Sequence, residues 1–192
     1  MKARLALLAT MSIVVGLNAC GDPTSLRASL RTSVDTLSVF ALSGTPPSYP
    51  SGVNLLARSP VRVDGGAAFD VAFDINADGN AIVYPVRQVV STPGSFRSVG
   101  MQRLSVQFDS VTDAPKTGYE VDSSFVLPPG ATVVIQSQHN FSGDICQFAL
   151  NPNIFAKIAV DSVVLASRTV YFRMGLDPNC GFRSFVVGIP TS

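Results

Sequence analysis

Residues 69–85 read FDVAFDINADGNAIVYP, and the fold class turns on how this stretch is taken. Phe69, Val71, Phe73 and Ile75 recur at every second position, with Asp70, Ala72 and Asp74 between them. A period of two places the first set on one face of an extended strand and the second on the other. Asp78-Gly79 then supplies the pair that a tight β-hairpin turn uses, because glycine takes a positive φ without steric cost. Ala81 to Val90 returns as the second strand, with Pro85 marking an edge or an irregularity. The expectation is a half-buried hairpin, apolar residues inward and aspartates outward.

The same grammar extends in both directions. Alternating or β-branched runs occur at Val34–Leu42, Val53–Val63, Gly100–Phe108, Tyr119–Leu127, Ala131–Gln138, Ile158–Leu165, Arg168–Met174 and Phe182–Val187. Pro60 marks a bulge or an edge within the second of these, and Pro128-Pro129-Gly130 is a turn with a built-in stop. Residues 151–157 (NPNIFAK) are the one place where a short helical turn is expected. No stretch carries a sustained 3.6-residue apolar stripe. About nine short strands separated by Gly/Pro turns predict an all-β domain over residues 34–190. A single antiparallel β-sandwich, Ig-like or jelly-roll-like, is the first choice and a barrel the second.

Composition agrees. The chain has 192 residues with 15 Gly and 13 Pro; Asp occurs twelve times against one Glu, and Arg eleven times against three Lys. Glu and Lys favour helices and Asp favours turns and caps, so the charged residues chosen here suit strands and loops. A formal net charge of +1, with no basic patch, argues against nucleic acid as a partner.

The first nineteen residues stand apart. Lys2 and Arg4 precede an apolar core from Leu5 to Leu17, which is the length of a secretory signal and too short for a permanent span of roughly 20 apolar residues. Leu17-Asn18-Ala19-Cys20 follows, and this resembles the lipobox of bacterial lipoproteins. The resemblance implies that residues 1–19 are removed and that Cys20 becomes an acylated N-terminus. It also implies an exported chain held to the envelope membrane by lipid, with residues 20–33 as a tether. Gly21 in place of an aspartate after the cysteine points to the outer membrane in a diderm cell.

With Cys20 given to lipid, Cys146 and Cys180 remain as a pair. In an exported, oxidising compartment they are expected to form a disulfide. Two isolated cysteines are too few for a zinc site.

Residues that carry reaction chemistry are scarce. His139 is the only histidine, with Ser142 and Asp144 beside it, but three groups within one short loop do not converge as a Ser-His-Asp triad does. There is no G-x-S-x-G elbow, P-loop or dinucleotide fingerprint. His139 is therefore expected at the surface or at a strand end, without a catalytic role. Arg183, between Phe182 and Phe185, is a weak binding candidate, since an arginine among aromatics suits an anion or a sugar ring. The plainer reading is a disulfide-pinned turn feeding the last strand.

The opening stretch carries one more signal. Asp74, Asn76, Asp78 and Gly79 match the start of D-x-[DN]-x-[DN]-G, and the Asn80 carbonyl stands where such loops use a backbone oxygen. The pattern resembles calcium loops of EF-hands and of integrin-type propellers. A strand in front excludes an EF-hand, and Ile82 and Pro85 occupy the places of the closing acid. Calcium takes six to eight oxygens, so Asp74, Asn76, Asp78 and Asn80 make a weak calcium candidate beside the hairpin-turn reading.

These features together lead to a membrane-anchored envelope lipoprotein with a non-catalytic binding, adhesive or structural role toward an envelope protein or a surface ligand. An envelope hydrolase with dispersed catalytic residues and a subunit of an envelope assembly complex are the alternatives.

Overall fold

The computed structural model describes residues 27–64, 68–91 and 97–191 of the chain. The leader and the lipobox with Cys20 lie outside the described residues.

Among the described residues eleven strands form two antiparallel sheets, and the sheets stay separate instead of closing into a barrel. The six-stranded sheet runs β1 (Ser33–Phe40), β11 (Thr169–Asp177), β10 (Asn153–Val164), β9 (Thr132–Gln138), β6 (Val99–Leu104) and β7 (Glu120–Val121). The five-stranded sheet runs β3 (Ser59–Val61), β2 (Gly52–Asn54), β4 (Val71–Ile75), β5 (Ala81–Pro85) and β8 (Phe125–Leu127). The all-β sandwich expected from the sequence is the fold.

The hairpin at its centre forms, with strands β4 and β5 shorter than the runs read from the sequence. Ile75 pairs with Ala81 and Val71 with Pro85, so the five residues from Asn76 to Asn80 make the loop. Asn76 organises it: its side-chain Oδ1 accepts from the Asp78 and Asn80 N–H groups at 3.1 and 2.8 Å, and its carbonyl accepts from Gly79 N at 3.1 Å. Gly79 has φ +80°, which a side chain would strain.

Phe73 of β4 stacks on Phe172 of β11, centroids 4.9 Å apart, and these rings tie the two sheets. Val71, Ile75, Val83, Met101, Ile135, Ile158 and Met174 fill the core around them. A second small cluster of Val111, Ala114, Val134, Phe155 and Phe185 covers the outer face of the six-stranded sheet. β10 is consequently buried on both faces from Ile154 to Val160.

That cover explains one departure from the sequence reading. Residues 153–157, expected in a helical turn, open β10 instead, because a continuous apolar run buried on two faces shows no alternation to read. The run Val53–Val63 is a hairpin and not one strand: residues 55–58 turn, Arg58 at φ 51°, and Pro60 sits in β3 at a sheet edge where no ladder donor is required. The run Tyr119–Leu127 breaks at Asp122, φ 54°, so β7 joins one sheet and β8 the other. β5 stops at Pro85, and Val86–Val89 form a single helical turn, α1. Phe182–Val187 is no strand; Ser184 makes an isolated bridge to Asp113. Ser29, Leu30 and Thr32, which the sequence reading assigns to a tether over residues 20–33, bond to Asn179 and Gly188 of the sandwich.

β1, β6 and β10 begin, and β9 and β11 finish, at one end of the sandwich, because Ser33 pairs with Leu176, Asn153 with Gln138 and Val99 with Ser137. This end carries α1, the loop 139–152 and the segment 178–191.

Candidate functional site

The first group at this end is buried. Asp70 precedes β4 and is 0% exposed, where the hairpin reading turns it outward with Ala72, which is also buried. The strand begins only at Val71, so the alternation does not reach Asp70, and the opposite sheet closes over it. Its Oδ1 accepts from Ser137 Oγ of β9 at 2.7 Å, and its Oδ2 accepts from Leu55 N at 2.8 Å. The carboxylate thereby links both sheets and the β2–β3 turn. His139, just past β9, is 1% exposed with Nε2 3.4 Å from Asp70 Oδ1, a pair that is ionic when the imidazole is protonated. That geometry falls short of a hydrogen bond, and both ring nitrogens lack a hydrogen-bond partner. Burial alone would raise the Asp70 carboxyl, but His139, the Ser137 hydroxyl and the Leu55 N–H outweigh it and hold Asp70 below the usual carboxylate range.

His139 is thus a strand-end residue as expected, but a core one and not a surface one. Ser142 and Asp144 do not join it: Asp144 caps Phe141 N at 3.2 Å and pairs with Arg97. The serine beside the histidine is Ser137, and its hydroxyl is committed to the carboxylate. A nucleophile–base relay needs the serine on the imidazole and reach to solvent; this cluster has neither.

The second group is a clamp. Cys146 and Cys180 are disulfide-bonded with Cα atoms 5.6 Å apart, in agreement with the sequence expectation. Next to Cys180, Asn179 accepts from Ser29 N and Leu30 N at 2.9 and 3.0 Å and donates to the Leu30 carbonyl at 2.8 Å. Asp177 Oδ1 in turn accepts from Asn179 N and Nδ2 at 3.0 and 2.8 Å, while its Oδ2 is unpartnered. Burial raises the Asp177 carboxyl despite these bonds. In sequence Asp177-Pro178-Asn179 reads only as a turn; that it grips the N-terminal segment is invisible from residues about 150 positions apart.

The third group is exposed. The disulfide-pinned loop carries Phe141 and Ile145 half exposed, and Phe148 and Leu150 at 92% and 99% exposure. Ile145 shares a shallow cleft with Arg27, Leu30, Asn179 and Phe182. Val187 and Ile189 flank Gly188, which bridges Thr32 beside the same segment.

The remaining candidates fall elsewhere. Asp74 Oδ1 accepts from Ser43 N and Oγ at 3.2 and 2.8 Å and from Arg168 Nη2 at 3.1 Å, so this oxygen is engaged in joining the hairpin to the β10–β11 turn. Asn76 is spent on the loop's own N–H groups, and Asp78 and Asn80 lie on the loop behind it. Among the described residues no three His, Cys, Asp or Glu side chains converge as metal ligands. Arg183 Nη1 donates to the Ala114 carbonyl at 3.4 Å and Ala114 N to the Arg183 carbonyl at 2.8 Å, fastening the C-terminal segment over the second cluster.

A residue the sequence does not single out is Lys157 in β10. Its buried Nζ donates to the Phe108 and Val111 carbonyls, both at 2.8 Å, and stands 4.2 Å over the Phe108 ring. Burial lowers its pKa. A Cβ at Gly175 opposite would meet Lys157 Cε at 2.9 Å, so a side chain there would displace the lysine stem.

No protein-family model, curated protein or solved structure matches this chain.

Proposed function

We propose that the chain is an exported, lipid-anchored β-sandwich with a non-catalytic binding, adhesive or structural role in the bacterial envelope. The observation that carries this reading is the distribution of chemistry at one end of the sandwich. The only histidine in the chain is sealed in the core beside its carboxylate, while a disulfide-pinned loop presents bare aromatic and aliphatic side chains to the outside. Polar groups buried against each other serve architecture; rigidly held exposed apolar side chains serve contact. The disulfide fits an oxidising compartment, and the leader with Leu17-Asn18-Ala19-Cys20 supplies the route there.

Metabolic palmitate labelling of the full-length chain in a bacterial host tests the anchor. Labelling is expected to disappear in Cys20→Ala, and persistence of the label would sink the assignment. Crosslinking of the same chain in its envelope tests the role: a reproducible neighbour is expected. A hydrolytic activity that survives purification and falls in His139→Ala would replace the non-catalytic reading with the enzymatic one.

A further inference from the structure

We propose that the partner of the exposed apolar end is the lipid bilayer itself: Phe148 and Leu150, with Ile145 and Phe141, seat in the membrane interface and lay this end of the sandwich on the surface. The proposal builds on the lipid-anchor reading and names what its contact surface meets.

Three observations carry it. Phe148 and Leu150 are the most exposed large apolar side chains of the described residues, and they stand two positions apart on one loop. That loop is held out rigidly: Cys146 ties it to Cys180, Asp144 pairs with Arg97, and Gly143 N donates to Gln147 Oε1 at 3.0 Å. A loop kept from folding its own apolar side chains back onto the protein leaves them for a partner.

The chain's own path then selects the partner. Asn179, adjacent to the disulfide, clamps Ser29 and Leu30, so the segment leading back to Cys20 departs from beside this loop. Cys20 precedes Arg27 by seven residues, which at about 3.5 Å each reach at most ~25 Å when fully extended. The eight residues of β1 alone extend for about 26 Å away from this end. An anchor at Cys20 therefore holds the 141–150 loop near the bilayer and keeps the opposite end, with the β10–β11 turn, away from it. Arg27, exposed in the same cleft as Ile145, suits the headgroup layer. A lipid-facing loop of this kind adds a second attachment to acyl chains that bind weakly one at a time.

The chain contains no tryptophan, so one introduced indole reports one place. Full-length chain carrying Phe148→Trp, and separately Leu165→Trp in the β10–β11 turn, is expressed with its own leader and purified from membranes. Each is reconstituted into phosphatidylethanolamine–phosphatidylglycerol vesicles with and without brominated acyl chains. Leu165 is 60% exposed, so both substitutions spare the core. Insertion to about 5–10 Å, typical of interfacial apolar groups, brings the indole near the bromines. The expected result is a blue-shifted Phe148→Trp emission that loses at least about half its intensity in brominated vesicles, with Leu165→Trp unaffected.

Intact mass of the same samples reads acylation at Cys20 separately. Quenching supports docking whether or not the mass shows lipid. An acylated Phe148→Trp chain whose indole stays unquenched overturns docking and leaves the anchor standing; an unacylated, unquenched chain overturns both. A blue shift that depends on protein concentration and ignores the brominated lipid assigns the loop to a second copy or another protein, which also overturns the proposal.

Discussion

Replacement of Asp70 by alanine is the sharpest test of how this sandwich is held together. The carboxylate accepts from Leu55 N and Ser137 Oγ in a site with no solvent exposure, and truncation leaves both donors buried and unpaired. Each orphaned donor costs about 1–3 kcal/mol, so the two together cost about 2–6 kcal/mol. We take about 4 kcal/mol, which for a domain of this size lowers Tm by roughly 8–16 °C. Asp70→Asn keeps the shape but only one acceptor oxygen, so it should fall between wild type and alanine. Chemical denaturation of Asp70→Ala, Ser137→Ala and the double variant measures the coupling directly, and the double variant is expected to lose less stability than the sum of the two single variants because both residues share one bond.

The same residue predicts a pH dependence of defined sign. The Asp70 carboxyl is held below its ordinary value in the folded chain, so its contribution is present above the unfolded value near pH 4 and is lost as pH falls through the folded one. Asp177, raised by burial, acts in the opposite sense, losing stability as pH rises through its folded value. The difference between wild type and Asp70→Asn isolates the first. It should be constant from neutral pH down to about pH 5 and shrink below about pH 4. A loss under ~1 kcal/mol for Asp70→Ala, or a difference that ignores acid, would refute the argument.

Two further outcomes follow from the loops. The disulfide links residues 34 positions apart. In the chain-entropy account its reduction should cost about 3–4 kcal/mol, seen as a lower urea midpoint and a two-proton gain in intact mass; an unchanged midpoint would refute that stabilisation. Millimolar calcium should leave Tm unchanged, because Asp74 Oδ1 already serves Ser43 and Arg168 and Asn76 Oδ1 serves the loop; a clear rise in Tm would overturn the hairpin-only reading of residues 74–80.

The places where sequence and structure part share a physical origin. Asp70 reads as solvent-facing when alternation is extended one residue past the start of β4, and only the facing sheet makes that position interior. Residues 153–157 lose their strand signature because the segments 104–119 and 182–185 cover the second face of β10. Arg58 and Asp122 break two predicted strands through positive φ at residue types that do not announce it as glycine does.

Local chemistry in the sequence was enough for the strand-rich class, the hairpin turn at Asp78-Gly79, the bulge-or-edge reading of Pro60 and the pairing of Cys146 with Cys180. Period, turn residues and cysteine number are short-range properties, and they survive folding. Which sheet each strand joins, the burial of Asp70 with Ser137 and His139, the grip of Asn179 on Ser29 and Leu30, and the loop left bare at Phe148 and Leu150 were decided by the tertiary structure alone. Each depends on two segments distant in sequence arriving at one end of the sandwich, and no local pattern encodes that meeting.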